Sequence, residues 1–412
     1  MTKNSPVSFD NTADAFAYKK NGELKKAQFL FSVMGKPWIV NLGLKITPLA
    51  IKWKFPFTTP AIRNTIFQQF VGGETLEETA VVAKKLNQYS VEVILDYGVE
   101  GGDDGEQGFD HATDEFIKVI DYAATQPNIP FMSIKVTGFA RFALLAMIDE
   151  LMDTGVGSLM KKYLFAIDKL SHLENEEWQR VRSRMLRICE VADTKKIGVL
   201  VDAEETWIQG PVDALTILMM DTFNKTRAVV YNTIQLYRHD RFVFLQDLYE
   251  AAAERHFIFG AKLVRGAYMD KERRRALEMN YPSPIQLNKE NTDMDYNASV
   301  AFCLEHLDTI AVIIASHNEQ SNLLAAEILA EKEIPFHHPH VHFSQLYGMS
   351  DNITFNLAKA GCSVSKYLPF GPIKDVIPYL MRRAQENSSV AGQTGRELGL
   401  IRKELERRKR LD

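Results

Sequence analysis

The sequence predicts an α/β fold: a closed (βα)8 barrel behind an N-terminal helical segment. Three observations predict it. Eight short β-rich runs recur between residue 91 and about residue 370, a segment of helical periodicity follows each, and most of the runs carry a polar or charged residue toward the C-terminal end. Strands alternating with helices favour a parallel sheet, and eight repeats favour closure over an open sheet.

Residues 1–88 read as a mainly helical arm, with Glu74–Leu86 as one clear helix behind the pair Gly72 and Gly73. The β-rich runs are VEVILDYGVE from Val91, FMSIKVTG from Phe131, IGVLVDAEE from Ile197 and AVVYNTIQLY from Ala228. FGAKLVRGAY from Phe259, AVIIASHN from Ala311, HVHFSQLYG from His340 and CSVSKYLPFG from Cys362 complete the set. Helical periodicity covers Phe116–Ala124, Phe139–Met152, Trp178–Ala192, Asp240–Arg255, Asn318–Lys332 and Ile373–Asn387. The stretch between the second and third runs has room for at least two helices. Residues 89–395 therefore read as the barrel domain. Residues 396–412, which end in IRKELERRKRLD, read as a charged, solvated helix or tail.

A chain of 412 residues has room for one large barrel, and its net charge of −4 gives no general attraction to nucleic acid or anionic membrane. Cys189, Cys303 and Cys362 are far apart and odd in number, which argues against a disulfide framework or a structural zinc site and for a reducing compartment. The N-terminus lacks a secretory pattern and carries Asp10 and Asp14, a poor mitochondrial presequence. The expected location is cytoplasmic, with peripheral attachment at the inner face of the membrane as an extension of it. No run reaches the roughly 18 apolar residues of a membrane span. The apolar segment Phe29–Phe57 reads first as core or inter-subunit surface and second as peripheral membrane contact.

Active sites of such barrels lie at the C-terminal ends of the strands, and a charge beside apolar strands is costly unless paired or used. The candidates are Lys135, Asp202 with Glu204 and Glu205, Gln235, Lys262, Arg265, Ser316, His317, Asn318, Gln345, Lys366 and Tyr367. A structural ion pair is the competing reading for each. Tyr379, Arg382, Arg383 and Glu386 are spaced to share one helix face. Adjacent arginines make a fork-like receptor for a carboxylate, and a surface ladder with Glu386 is the alternative. Gly266 in KLVRGAY allows close backbone approach to a ligand, and Arg265 beside it suits a phosphate. Neither GxGxxG opening a helix nor GxxxxGK[ST] occurs. His337, His338, His340 and His342 begin the seventh run, the wrong end for a metal site, and no metal is expected. A metal-dependent hydrolase using Asp202, Glu204 and His317, or a catalytically inert barrel, are the rival classes.

KLVRGAYMDKE, YPSPI, IIASHNEQS, FSQLYGMSD and KYLPFGPIKDVIPYLMRRAQENSSV resemble proline dehydrogenases in order and spacing, as do SIKVTG and VLVDAEE. The resemblance covers roughly residues 90–395 and looks closest to the stand-alone, eukaryote-like branch. It implies a distorted TIM barrel holding FAD non-covalently, with the last helix over the flavin. The implied reaction is oxidation of L-proline to 1-pyrroline-5-carboxylate, the first step of proline catabolism, with electrons passed to a quinone. A separate pyrroline-5-carboxylate dehydrogenase is the implied partner, and 4-hydroxyproline is the rival substrate. Carried over by motif, Asp202 and Lys262 are catalytic, and Lys135 and Asp202 form a positioning pair with no general base assigned. Lys135, Leu263, Tyr268, Tyr367, Arg382 and Arg383 would meet substrate. Ala203, Gln235, Arg265, Gly266, Ala267, Ser316, His317 and Glu386 would serve FAD. The sequence departs from the common pattern at Lys262, where many bacterial members have arginine, and at Met269, where some have tryptophan.

Overall fold

The computed structural model describes residues 6–53, 55, 58–98, 105–389 and 393–411, of which 48–52, 387–389 and 393 are described by backbone alone. Expectations for residues 1–5, Val99, Glu100, Phe57 and Val390 lie outside these residues.

Eight parallel strands close into a barrel in sequence order. They are β1 (Glu92–Tyr97), β2 (Phe131–Ile134), β3 (Gly198–Val201), β4 (Val230–Gln235), β5 (Phe259–Val264), β6 (Ile310–Ala315), β7 (Val341–Leu346) and β8 (Val364–Phe370). Each falls within its predicted run or one residue off it, and β2, β3, β5 and β6 stop before the polar residues that end the run. Those residues become the loops at the C-terminal rim. The chain divides into two compact units, residues 1–98 with 344–412, and residues 99–343.

In residues 99–343, β2 to β6 are buried almost throughout, as strands covered by helices must be. Three helices, Phe142–Asp153, Leu159–Lys169 and His172–Lys195, fill the long stretch between β2 and β3. The last of these starts at a capping box. Ser171 Oγ accepts from the Glu174 N–H, and the Glu174 carboxylate accepts from the Ser171 N–H. It stops at Lys196, whose φ of 61° is left-handed. Cys189 and Cys303 here, and Cys362 in the other unit, are buried free thiols.

In the other unit, β1 pairs with β8 over six residues, Glu92 opposite Ser365 through Tyr97 opposite Phe370. Helices Asn21–Met34, Ile373–Ser389 and Gln393–Lys409 pack around Phe16, Leu24, Phe31, Phe70, Val376 and Leu380. One expectation fails here, and the core reading of a second holds only in part. The C-terminal segment is not solvated: Ile401 and Leu405 enter this core, and the buried Glu404 carboxylate accepts from Arg407 and Arg408. Arg408 also donates to the carbonyls of Phe16 and Lys19. Only a narrow apolar stripe, four residues apart, marks this helix among its charges. The segment from Phe29 is core only in part: Phe31 and Met34 are buried, whereas Phe29 is 68% exposed and Trp53 74%, with Trp38, Leu42, Ile46 and Phe55 also exposed. Helix Pro37–Lys52 holds Trp38, Leu42 and Ile46.

Candidate active site

The pairing of β2 with β3 ends with Ile134 opposite Val201, so Lys135 and Asp202 are the next residues on adjacent strands. The Asp202 N–H still donates to the Ile134 carbonyl at 2.8 Å. Lys262 lies inside β5, opposite Thr233 of β4, and is buried. Its Nζ donates to Asp202 Oδ1. Ser133 Oγ donates to the same oxygen at 2.7 Å, and Lys135 Nζ lies 3.7 Å from Oδ2. Burial alone would raise the Asp202 carboxyl. The charges of Lys262 and Lys135, with the hydrogen bonds from Lys262 and Ser133, outweigh burial and hold it at about 2. These partners hold the Asp202 carboxyl toward its ionised form.

The loop after β3 continues through Ala203 to Glu204, whose carboxylate accepts from Thr137 Oγ1 at 2.8 and 3.0 Å. Gln235, buried at the end of β4, donates from Nε2 to the Glu204 carbonyl at 2.7 Å and to the Tyr237 hydroxyl at 2.8 Å. Its Oε1 is buried and unpartnered, an acceptor held ready for a donor.

A cationic shelf follows β5. Arg265 donates to Ser316 Oγ at 2.6 Å and Ser321 Oγ at 2.7 Å, and its Nε is 3.0 Å from Asp293 Oδ1. The guanidinium lies 3.7 Å from the centre of the Tyr296 ring. Ser316, His317 and Asn318 lead into helix Glu319–Glu331, where Asn318 Oδ1 caps the Ser321 N–H. Gly266 has φ of +59°, the left-handed region a side chain resists. Beyond it Ala267 is exposed and Tyr268 half-buried at the start of helix Met269–Met279. Leu263 is fully buried, its carbonyl accepting from the Tyr296 hydroxyl at 3.3 Å.

In the other unit, helix Ile373–Ser389 carries Tyr379, Arg382, Arg383 and Glu386. Arg383 donates to Glu386 Oε1 at 2.6 Å, and its guanidinium lies 5.2 Å from the Tyr379 ring centre. The expected ladder is thus present, but Arg383 is buried, and burial pushes the Glu386 carboxyl up against the pull of Arg383 and Arg382. Arg382 is half-buried, and so is Tyr367 in β8.

Two strand residues read as site candidates are structural. Lys366 is 0% exposed, pairs with Asp351 at 2.9 Å and donates to the Met349 carbonyl at 2.5 Å. Gln345 Oε1 accepts from Thr354 Oγ1 at 2.8 Å. The histidines at β7 have packing roles: His340 Nδ1 lies 2.6 Å from the Leu307 carbonyl, and His342 stacks edge-on against Phe131. Among the described residues, no three His, Cys, Asp or Glu side chains group to hold a metal ion. The sequence reading missed Ser133, Thr137, Tyr296 and Ser321. Ser133 stands two before Lys135, on the same side of the pleat, so the two-residue period of a strand was the signal that could have found it.

The family model described as Proline dehydrogenase matches residues 80–396. Relatives include the carbapenem antibiotics biosynthesis protein CarD of Pectobacterium carotovorum, 36% identical over 82% of this chain and 83% of its own. "Proline dehydrogenase 1, mitochondrial" of Dictyostelium discoideum is 30% identical over 98% of this chain and 76% of its own. Hydroxyproline dehydrogenase of Xenopus laevis is 31% identical over 95% and 88%. Among solved structures, proline utilization A (PutA) from Bdellovibrio bacteriovorus, inactivated by N-propargylglycine, matches with a TM-score of 0.69 at 20% identity. That match covers 95% of this chain but only 40% of the other, and it shows the fold alone. The relatives also correct the expected location: those from Dictyostelium and Caenorhabditis elegans are named mitochondrial, which overturns the cytoplasmic reading. Reduced thiols report a reducing environment and do not distinguish one such compartment from another. With a match spanning three quarters of the chain, the chain belongs to the proline dehydrogenase family.

Proposed function

We propose that this chain oxidises L-proline to 1-pyrroline-5-carboxylate with bound FAD and passes the electrons to a quinone. The observation that carries this reading is the strand-end network of Lys262, Asp202 and Lys135 beside the unpartnered Gln235 oxygen. FAD fits these residues: Gln235 Oε1 would accept an N–H from the cofactor, and Arg265, the Ser316–Asn318 turn and the backbone at Gly266 and Ala267 would hold its pyrophosphate. Ala203, His317 and Glu386 complete the proposed cofactor set. When bound, FAD supplies the two-electron acceptor for oxidation of the carbon–nitrogen bond.

The protein's part is binding, orientation and field. Arg382 and Arg383 take the carboxylate, Lys135 adds a cation for substrate, and Tyr367, Tyr268 and Leu263 shape the ring pocket. Asp202 stays ionised and fixes the Lys262 and Lys135 ammonium groups, so their charge stands in place before reaction rather than being organised during it. No residue is needed to remove the amine proton if proline binds in its neutral-amine form. A lipid-soluble acceptor also gives meaning to the exposed Phe29, Trp38, Leu42 and Ile46, which support contact with a membrane surface. No described helix is long and apolar enough to cross one. A separate pyrroline-5-carboxylate dehydrogenase would consume the product.

The purified protein is expected to be yellow, with about one FAD per chain released on denaturation. Anaerobic L-proline should bleach the flavin band. A colourless protein that FAD cannot reconstitute would overturn the reading. The rival substrate, named by the Xenopus relative, is tested at Tyr367. An aromatic side chain beside the ring fills the space a 4-hydroxyl needs, so the wild type should prefer proline. Tyr367→Ser should lower proline turnover and move the proline-to-hydroxyproline ratio of kcat/KM by about 1–3 kcal/mol. An unchanged ratio with FAD intact would place Tyr367 away from the ring.

A further inference from the structure

Gln235 offers its oxygen to a cofactor only if its amide is turned the right way, and the two ends of a side-chain amide are nearly alike in shape. Its Nε2 donates to the Glu204 carbonyl at 2.7 Å and to the Tyr237 hydroxyl at 2.8 Å. The hydroxyl can give or receive, so it does not choose between the two orientations. A carbonyl can only accept. The Glu204 carbonyl must therefore face the NH2, which leaves Oε1 as the unpartnered end. The orientation of Gln235 thus depends on where the Glu204 carbonyl stands. Residue 204 lies in the loop after β3, outside any helix or strand, and is fastened at three points. Its carboxylate accepts from Thr137 Oγ1, its carbonyl accepts from Gln235, and its N–H donates to Gln209 Oε1 at 3.0 Å.

The third point leads into helix Thr206–Phe223. Gln209 is a buried amide with the same ambiguity, and it is resolved in the same way. Its Nε2 donates at 2.8 Å to Oδ1 of Asp213, four residues on and so on the same helix face. A carboxylate can only accept, so Gln209 turns its oxygen to the Glu204 N–H. Asp213 is anchored in turn: Arg241 NH1 lies 2.7 Å from its Oδ2, and Asn232 Nδ2 donates to its Oδ1 at 2.9 Å. Gln209 and Asp213 are both buried, so water does not compete for these bonds. The sense of the chain runs one way. Asp213 sets Gln209, Gln209 holds residue 204, and the carbonyl of residue 204 sets Gln235. We propose that Gln209, oriented by Asp213, is a positioning residue for the flavin, keeping the Gln235 oxygen rather than its NH2 toward the cofactor. The inference rests on the reading of Gln235 as a cofactor contact. Without Gln209 the Glu204 N–H loses a buried acceptor and the carbonyl is free to move. Gln235 can then turn its NH2 toward the cofactor, where a donor meets a donor and no bond forms.

The experiment compares FAD with 3-methyl-FAD. The oxidised flavin ring carries one N–H, at N3, and the analogue replaces that donor by a methyl group. The holoprotein is equilibrated with mixtures of the two flavins, and the bound share of each is read by chromatography after denaturation. The wild type should favour FAD by about tenfold, the scale of one buried hydrogen bond. Gln235→Leu lacks the acceptor and should lower that preference to about threefold or less. Gln209→Met and Gln209→Leu remove both bonds of residue 209 with little change of volume and touch no proposed cofactor contact. Each should lower the preference toward that of Gln235→Leu. A residue with a merely structural role would weaken both flavins alike and leave their ratio where it stands, while thermal unfolding reads the loss of stability by itself. The wild-type ratio in both Gln209 variants, with Gln235→Leu lowered, would overturn the proposal. The wild-type ratio in Gln235→Leu would overturn the cofactor contact of Gln235, and the proposal with it. A wild type that takes up neither flavin would instead overturn the flavoenzyme reading itself.

Discussion

Asp351→Ala should destabilise the folded protein by about 3–5 kcal/mol, the usual result of removing one partner from a buried ion pair. Asp351 Oδ1 lies 2.9 Å from Lys366 Nζ, and Oδ2 lies 3.0 Å from Lys19 Nζ and accepts from the Tyr18 hydroxyl at 2.8 Å. The side chains of Lys366, Asp351 and Lys19 are 0%, 3% and 10% exposed, so no solvent is available to replace the lost charge. Lys366 would keep carbonyl oxygens such as that of Met349, which solvate a cation only in part. Denaturant unfolding against wild type measures the loss, and a value below about 1 kcal/mol would show that the pair contributes nothing net. The pH dependence gives a second reading. Burial raises the Asp351 carboxyl, but Lys19 and Lys366 outweigh it and hold it at about 2, below its unfolded value of roughly 3.9. Its stabilisation is therefore present above about pH 4 and is lost as pH falls toward 2. The variant should lack that part of the acid transition. Replacing Asp351 and Lys366 together by Leu and Met should cost less than the single change, since neither charge is then stranded.

That network also shows where sequence stops informing. Lys366 stands inside an apolar strand, as Lys262 does, and nothing local separates the two. What separates them is distant in the chain. Lys262 finds Asp202 sixty residues before it, on a strand of the same rim, while Lys366 finds Asp351 and, through it, Lys19. The barrel strands were legible because strands covered on both faces read as near-continuous apolar runs, and the polar residues that end them mark the rim. The C-terminal helix was not, because Ile401 and Leu405 are a weak signal among arginines and glutamates whose charges are spent on one another and on backbone carbonyls. Ser133 and Thr137 were missed for a related reason: a hydroxyl acquires meaning only when the carboxylate it serves is found, and both serve carboxylates that follow β3.

Arg382→Met and Arg383→Met should each weaken proline binding by about 10- to 150-fold, the equivalent of roughly 1.5–3 kcal/mol for a charge-assisted bond to a carboxylate. FAD content should stay near wild type, because the proposed cofactor contacts come mainly from other elements. The two variants should differ in side effects. Arg383 is buried, bonded to Glu386 at 2.6 Å and set against the Tyr379 ring, so its loss also strands a carboxyl already pushed up by burial. Arg383→Met should therefore lose thermal stability as well as affinity, and Glu386→Gln should restore part of that stability without restoring proline binding. Arg382 is half-buried and its removal leaves the Arg383–Glu386 pair in place, so its loss should cost less stability than that of Arg383. Steady-state saturation with proline, together with flavin bleaching at each concentration, separates binding from turnover. The rise should sit in KM, with a smaller fall in kcat reflecting a substrate held less squarely. If both variants saturate with proline as the wild type does, the arginines are a buried ladder that fastens their own helix, and the carboxylate of proline is received elsewhere.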